Sequence, residues 1–162
     1  MSSMKTPLFA LCLLIANSVC VFSEGEDKLQ WVADYDVATK LASEQNRRVF
    51  VLFTNSKVCV PCKLLKTNVI EKQEFIDYAN KNLILLMVDY APYHSKEAKM
   101  DLSEIEDGKK IPKELWMKGR GPWPYLFVLA PDKEVIYSGV ANGEDRKTVQ
   151  EYLKFLDGVK KP

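Results

Sequence analysis

Two apolar runs constrain this chain more than anything else in it: "RVFVLFT" (Arg48–Thr54) and "LILLMVDY" (residues 83–90). Each is nearly continuous and rich in β-branched or aromatic residues, the pattern of a strand buried on both faces. Between them a helix is expected to carry Leu64 and Leu65, to break near Lys72, and to resume through Phe75, Ile76 and Tyr78. Strand, helix, strand is a βαβ unit, which demands parallel pairing and a crossover connection. The fold class is therefore α/β.

The flanking segments extend this unit. After a polar lead-in, "DVATKLASEQNR" places Val37, Ala38, Leu41 and Ala42 on one helical face, with Asp36 as the expected cap. "YLFVLA" (residues 125–130) and "EVIYSG" (residues 134–139) read as strands joined by a turn at Pro131 and Asp132. A last helix over 144–157 shows Val149, Tyr152, Leu153 and Leu156 at helical spacing. Residues 91–121 are polar, with short helices expected over 96–104 and 112–117. They hold the only histidine, His94, which reads as a solvated loop residue. The expected order is α, β, α, β, (α), β, β, α, with Trp31 and Trp116 packed in the core.

Charge excludes one class of function. Lys+Arg is 23 against Asp+Glu 22, and the two signs alternate along the chain, so there is no basic footprint for nucleic acid. With 162 residues, 47% of them hydrophobic, one well-cored domain is expected, as a monomer.

The first 23 residues differ in kind. Lys5 precedes an apolar run from Leu8 to Ala16, and after Phe22 the chain turns to "SEGEDK". That is the pattern of a secretory signal peptide, with Val21 and Ser23 at the −3 and −1 positions of a cut after Ser23. A cut after Ser18 is the second choice. A membrane-spanning helix needs ~20 apolar residues, and Asn17 and Ser18 interrupt this run first. The expected division is a signal peptide over 1–23 and one domain over 24–162, exported to the periplasm or the exterior. Removal of the signal takes Cys12 and Cys20 with it and leaves Cys59 and Cys62 in a compartment where disulfides persist.

Those two cysteines stand in "NSKVCVPCKLLK" (residues 55–66), just after the first strand. A zinc site needs about four ligands, and one pair with one distant histidine does not supply them. A structural bridge across so short a loop contributes little, because stabilisation grows with loop length. A CxxC between a buried strand and a helix is instead a redox signature. Cys59 falls at the helix N-terminus, where free N–H groups and the macrodipole favour a thiolate. Cys62, one turn on, is placed to attack a mixed disulfide formed by Cys59. Pro61 lies in the first turn, where a missing N–H is harmless.

With "VFVLFTNSKVCVPCK", "LILLMVDY" and "GPWPYLFVLAPDKEVIYSG", the chain from about Trp31 to Asp157 resembles the thioredoxin superfamily, and more closely its exported bacterial thioredoxin-like members. The resemblance implies a central mixed β-sheet flanked by helices, Cys59 as nucleophile and Cys62 as resolving cysteine. It implies a cis-proline at Pro124, whereas Pro122 reads as a loop proline. Val60, Pro61, Trp123 and Pro124 become the expected substrate-binding residues. The chain departs from the family in having Val58 before the first cysteine and Trp123 before the proline. A third departure is the absence of a buried Asp on the preceding strand, where Phe53 and its neighbours are apolar.

The function expected is an exported thiol–disulfide oxidoreductase acting on cysteines or disulfides of other exported proteins, served by an upstream redox partner and needing no metal or organic cofactor. A helix terminus alone favours the thiolate only moderately, and no histidine in the motif adds to it, which leans toward reduction or isomerisation. The alternative is a thioredoxin-like scaffold that binds clients while its disulfide stays idle.

Overall fold

The computed structural model describes residues 28–32, 34–90, 111–144 and 146–159. The expected signal peptide, His94 and the helix expected over 96–104 lie outside these residues. The strands are β1 (Trp31–Val32), β2 (Arg48–Thr54), β3 (Leu83–Asp89), β4 (Tyr125–Leu129) and β5 (Val135–Val140). The helices are α1 (Tyr35–Gln45), α2 (Val60–Leu65), α3 (Gln73–Asn82), α4 (Lys113–Gly119) and α5 (Val149–Gly158).

Among the described residues the strands form one mixed sheet in the order β1-β3-β2-β4-β5. The two apolar runs sit at its centre. β2 and β3 are parallel, as the βαβ pattern requires, in a register that pairs Phe50 with Leu85, Leu52 with Met87 and Thr54 with Asp89. β4 runs antiparallel to β2, with Tyr125 opposite Phe53, and β5 runs antiparallel to β4. The lead-in read as merely polar holds β1, parallel to β3 at Leu85 and Leu86.

Strand alternation divides the core in two. Val49, Val51 and Phe53 of β2 face one side, beneath Ala38 and Ala42 of α1 and Leu115 and Trp116 of α4. Phe50 and Leu52 face the other, beneath Leu65, Phe75 of α3 and Tyr152 of α5. Phe50 meets Phe75 edge-on at 5.9 Å between ring centroids, and Phe75 meets Tyr152 at 6.2 Å. Each buried side chain of this size contributes about 1.5–3 kcal/mol, so these two layers outweigh any surface ion pair in holding the fold.

The helix ends explain where the segments begin and stop. The cap of α1 is Asp34, not Asp36: its backbone is extended and its carboxylate accepts the Val37 N–H at 3.0 Å. Asp36 falls in the first turn, where its charge still complements the helix dipole. Val37 faces outward, 49% exposed, off the face that buries Ala38 and Ala42. α1 ends at Asn46, in the left-handed region at φ 51°. α2 continues as a π-helical turn, Lys66–Ile70, and α3 begins after Lys72, where the break was expected. At the C-terminal end of α5, the Arg48 guanidinium donates to the carbonyls of Leu156 (2.6 Å) and Val159 (2.9 Å). A cation there complements the negative, carbonyl end of the helix dipole.

Candidate active site

The redox turn is built from the end of β2 outward. Asn55, fully buried, follows the strand directly. Its side-chain oxygen accepts the N–H groups of Lys57 (3.2 Å) and Val58 (3.3 Å), and its carbonyl accepts the N–H of Cys59 (3.1 Å). One residue thus shapes the whole approach to the cysteines. It was not among the expected site residues; the signal available was an Asn at a strand exit, a position suited to Asx turns. From the far side, the Asp89 carboxylate accepts the Ser56 N–H at 3.0 Å.

Cys59 is the N-cap of α2, with extended backbone, and Val60 and Pro61 occupy the first two helical positions. The Cys59 sulfur accepts the Cys62 N–H at 3.1 Å. Among the helix's first N–H groups, that one points at the sulfur; Pro61 has none to offer. Cys59 and Cys62 form a disulfide, Cα atoms 5.3 Å apart. Beside the pair, Val58, Val60 and Leu64 are 55%, 63% and 53% exposed. The site therefore presents an apolar rim to solvent, and Leu64 belongs to that rim and not to the core.

β4 brings the second segment to the same end of the sheet. Because Tyr125 pairs with Phe53, Pro124 lies level with the exit of β2 from which the redox turn departs. The Trp123–Pro124 bond is cis, and so is Gly121–Pro122, the proline read as an ordinary loop residue. Pro124 is buried and its carbonyl accepts the Ala141 N–H at 2.8 Å. Trp123 is half-buried: one ring face stacks on Tyr90, centroids 4.9 Å apart, and its Nε1 donates to the Gly119 carbonyl at 3.2 Å. Tyr90 is fully buried beside Phe53 and Trp116, and burial holds its phenol well above the usual range.

Below Cys62 an open groove of about 710 Å³ runs under α2, floored by Leu52, Thr54 and Met87. Phe53 points to the opposite face, into the rings of Tyr90, Trp116 and Phe127. Leu52 and Thr54 are the β2 residues that share a cavity with the second cysteine. Both are uncharged, so β2 brings no ionisable group there. Among the described residues, no three His, Cys, Asp or Glu side chains converge as a metal site.

A family model described as thioredoxin-like matches residues 30–131. Among solved structures, a DsbH oxidoreductase superposes with a TM-score of 0.63 at 14% identity, over 82% of this chain and 84% of that one. A thioredoxin from Thermus thermophilus gives 0.54 at 21% identity, over 81% and 86% of the two chains. A putative disulphide-isomerase from Bacteroides thetaiotaomicron gives 0.54 at 21% identity, over 84% and 97%. At these identities the likeness is one of fold. No curated protein sequence matches the chain.

Proposed function

The chain belongs to the thioredoxin-like family, and from that premise we propose that it is an exported thiol–disulfide oxidoreductase working through Cys59 and Cys62. The observation that carries this reading is the disulfide at the N-terminus of α2, with the Cys62 N–H directed at the Cys59 sulfur. An N–H that bonds a neutral sulfur weakly bonds a thiolate strongly, so reduction of the pair favours the charged form at Cys59.

In the reductive direction the Cys59 thiolate attacks one sulfur of a client disulfide. A Cys59–client bond forms and the client's other sulfur leaves as thiolate. Cys62, deprotonated, then attacks the Cys59 sulfur; the Cys59–Cys62 disulfide forms and the client departs with two thiols. An upstream thiol donor restores the pair, with no metal or organic cofactor taking part. The absence of any histidine from the motif supports a lean toward reduction or isomerisation.

Clients would be exported proteins bearing cysteines. The exposed apolar rim of Val58 and Val60 supports contact with unfolded or extended segments, and Pro61, Trp123 and Pro124 would complete the client-binding surface. The apolar N-terminal segment supports cleavage after Ser23 and export to the periplasm or exterior. Intact mass of secreted material beginning at Glu24 tests that part.

Reduction of insulin disulfides with a dithiol donor tests the chemistry. A rate well above the uncatalysed background, lost in Cys59→Ala, is expected. Background turnover with retained client binding would leave the scaffold reading in its place. Equilibration against glutathione then fixes the direction in which electrons run.

A further inference from the structure

The resolving step poses a chemical problem that the reading above leaves open, and the inference here rests on that reading. Only a thiolate attacks a disulfide. Cys62 is 6% exposed and is the first residue of the helix to face Leu52 and the core beneath it. Burial among apolar groups opposes its ionisation, and its own N–H is committed to Cys59. Some group must take the proton, and β2 offers none.

The groove beneath Cys62 presents five other ionisable side chains: Lys28, Lys63, Lys66, Glu71 and Asp89. An ammonium group holds no lone pair to accept with, though its charge favours a nearby thiolate. Glu71 faces the Lys66 ammonium at 3.5 Å, on the rim beyond the π-helical turn. Asp89 is placed differently. Leu85, Met87 and Asp89 are alternate residues of β3 and share a face, in register with Phe50, Leu52 and Thr54 of β2. Asp89 is thus the polar end of the apolar column over which the Cys62-bearing helix lies. Its Oδ1 is fixed by the Ser56 N–H within the turn that leads to Cys59.

We infer that Asp89 is the proton acceptor for Cys62 in the resolving step. The Cys62 thiol gives its proton across the solvent of the groove to the Asp89 carboxylate. The sulfur's electron pair forms the bond to Cys59 Sγ, the Cys59–client bond breaks, and the client sulfur leaves as thiolate. The Asp89 carboxylic acid returns its proton to solvent or to the departing sulfur. In the oxidative direction the same carboxyl, protonated, supplies the proton that Cys62 takes up when it leaves. Proton handling is carried on β3, one strand away from the strand that leads into the cysteines.

The test uses the reduced full-length protein with an aromatic disulfide whose thiolate is coloured, 5,5′-dithiobis(2-nitrobenzoate). Cys59 attack releases one thiolate and leaves a mixed disulfide; Cys62 attack releases the second. The two phases are separable by stopped flow. Asp89→Asn retains an acceptor oxygen for the Ser56 N–H and removes the base. The first phase is expected to be unchanged. The second is expected to slow by about 10²-fold, at the low end for loss of a general base, with its pH profile displaced to the alkaline side. Glu71→Gln leaves both phases as in the wild type.

A second phase in Asp89→Asn with the wild-type rate and pH profile overturns the inference. So does equal slowing of both phases, which would make Asp89 a prop for the turn. Absence of a second phase in the wild type itself would instead refute the redox reading.

Discussion

Cys59 and Cys62 are almost equally buried, at 8% and 6% exposed, yet among the described residues only Cys59 has a backbone N–H directed at its sulfur. The N–H directed at the Cys59 sulfur favours a thiolate there over one at Cys62. Cys62→Ala is expected to accumulate mixed disulfides through Cys59, because the resolving thiol is gone, while Cys59→Ala accumulates few. Non-reducing mass spectrometry of protein incubated with client disulfides reads the difference. Equal trapping by the two variants would contradict the assignment of nucleophile.

Asn55 links stability to reactivity. Asn55→Ala leaves the N–H groups of Lys57 and Val58 without their acceptor, at a cost of about 1–3 kcal/mol, measured by urea unfolding. Alkylation of Cys59 by iodoacetamide is expected to slow in parallel, because the turn that aims the helix N-terminus loosens. Asn55→Asp keeps an acceptor oxygen but buries a carboxyl. Its stability should be nearest the wild type at acid pH and fall as pH rises and the buried group is forced to ionise.

Gly119 is set against the Phe53 ring. A Cβ at that position would stand 2.5 Å from a ring carbon that cannot retreat, since Phe53 is fully buried. Gly119→Ala should destabilise by about 1–3 kcal/mol in urea titrations, the usual range for overpacking a filled core. Gly158→Ala is the control: nothing lies within 4 Å of the added methyl, and no loss is expected.

The start of α5 makes a pH-dependent contribution. The Thr148 hydroxyl accepts the Glu151 N–H at 3.3 Å, and the Glu151 carboxylate accepts the N–H groups of Thr148 (2.9 Å) and Lys147 (3.0 Å). Bonds from the Thr148 backbone and hydroxyl hold the Glu151 pKa below its ordinary value. A depressed carboxyl adds stability above its unfolded pKa and gives it up as pH falls through the folded one. Thr148→Ala should cost about 1 kcal/mol at neutral pH. The gap should narrow in acid, where the wild type also loses the carboxylate's bonds. Thermal melts across pH, with the Glu151 carboxyl followed by NMR, check both points.

The parts of this protein that were legible in its sequence are those governed by local pattern. β2 and β3 announce themselves because both faces are buried, and the break near Lys72 shows as a lapse in apolar spacing. β1 was not legible: Trp31 and Val32 become a strand only by pairing with Leu85 and Leu86, far along the chain. The choice of Asp34 over Asp36 turned on which aspartate has extended backbone, a matter two residues wide. Strand parity at the site was not legible either. Whether Leu52 or Phe53 faces the cysteine helix depends on the length of the turn from Thr54 to Cys59 and on which side of the sheet that helix lies. Asn55, which shapes the turn, resembled any polar loop residue until its hydrogen bonds were seen.

The alternation of β2 makes that strand a bulkhead between two compartments. On one side Phe53 abuts Tyr90, the ring that carries Trp123; on the other Leu52 lines the groove beneath Cys62. A lineage can alter one neighbour without disturbing the other. On the proposed reading, what the protein takes hold of and how quickly it lets go are spelled by alternate letters of one short word.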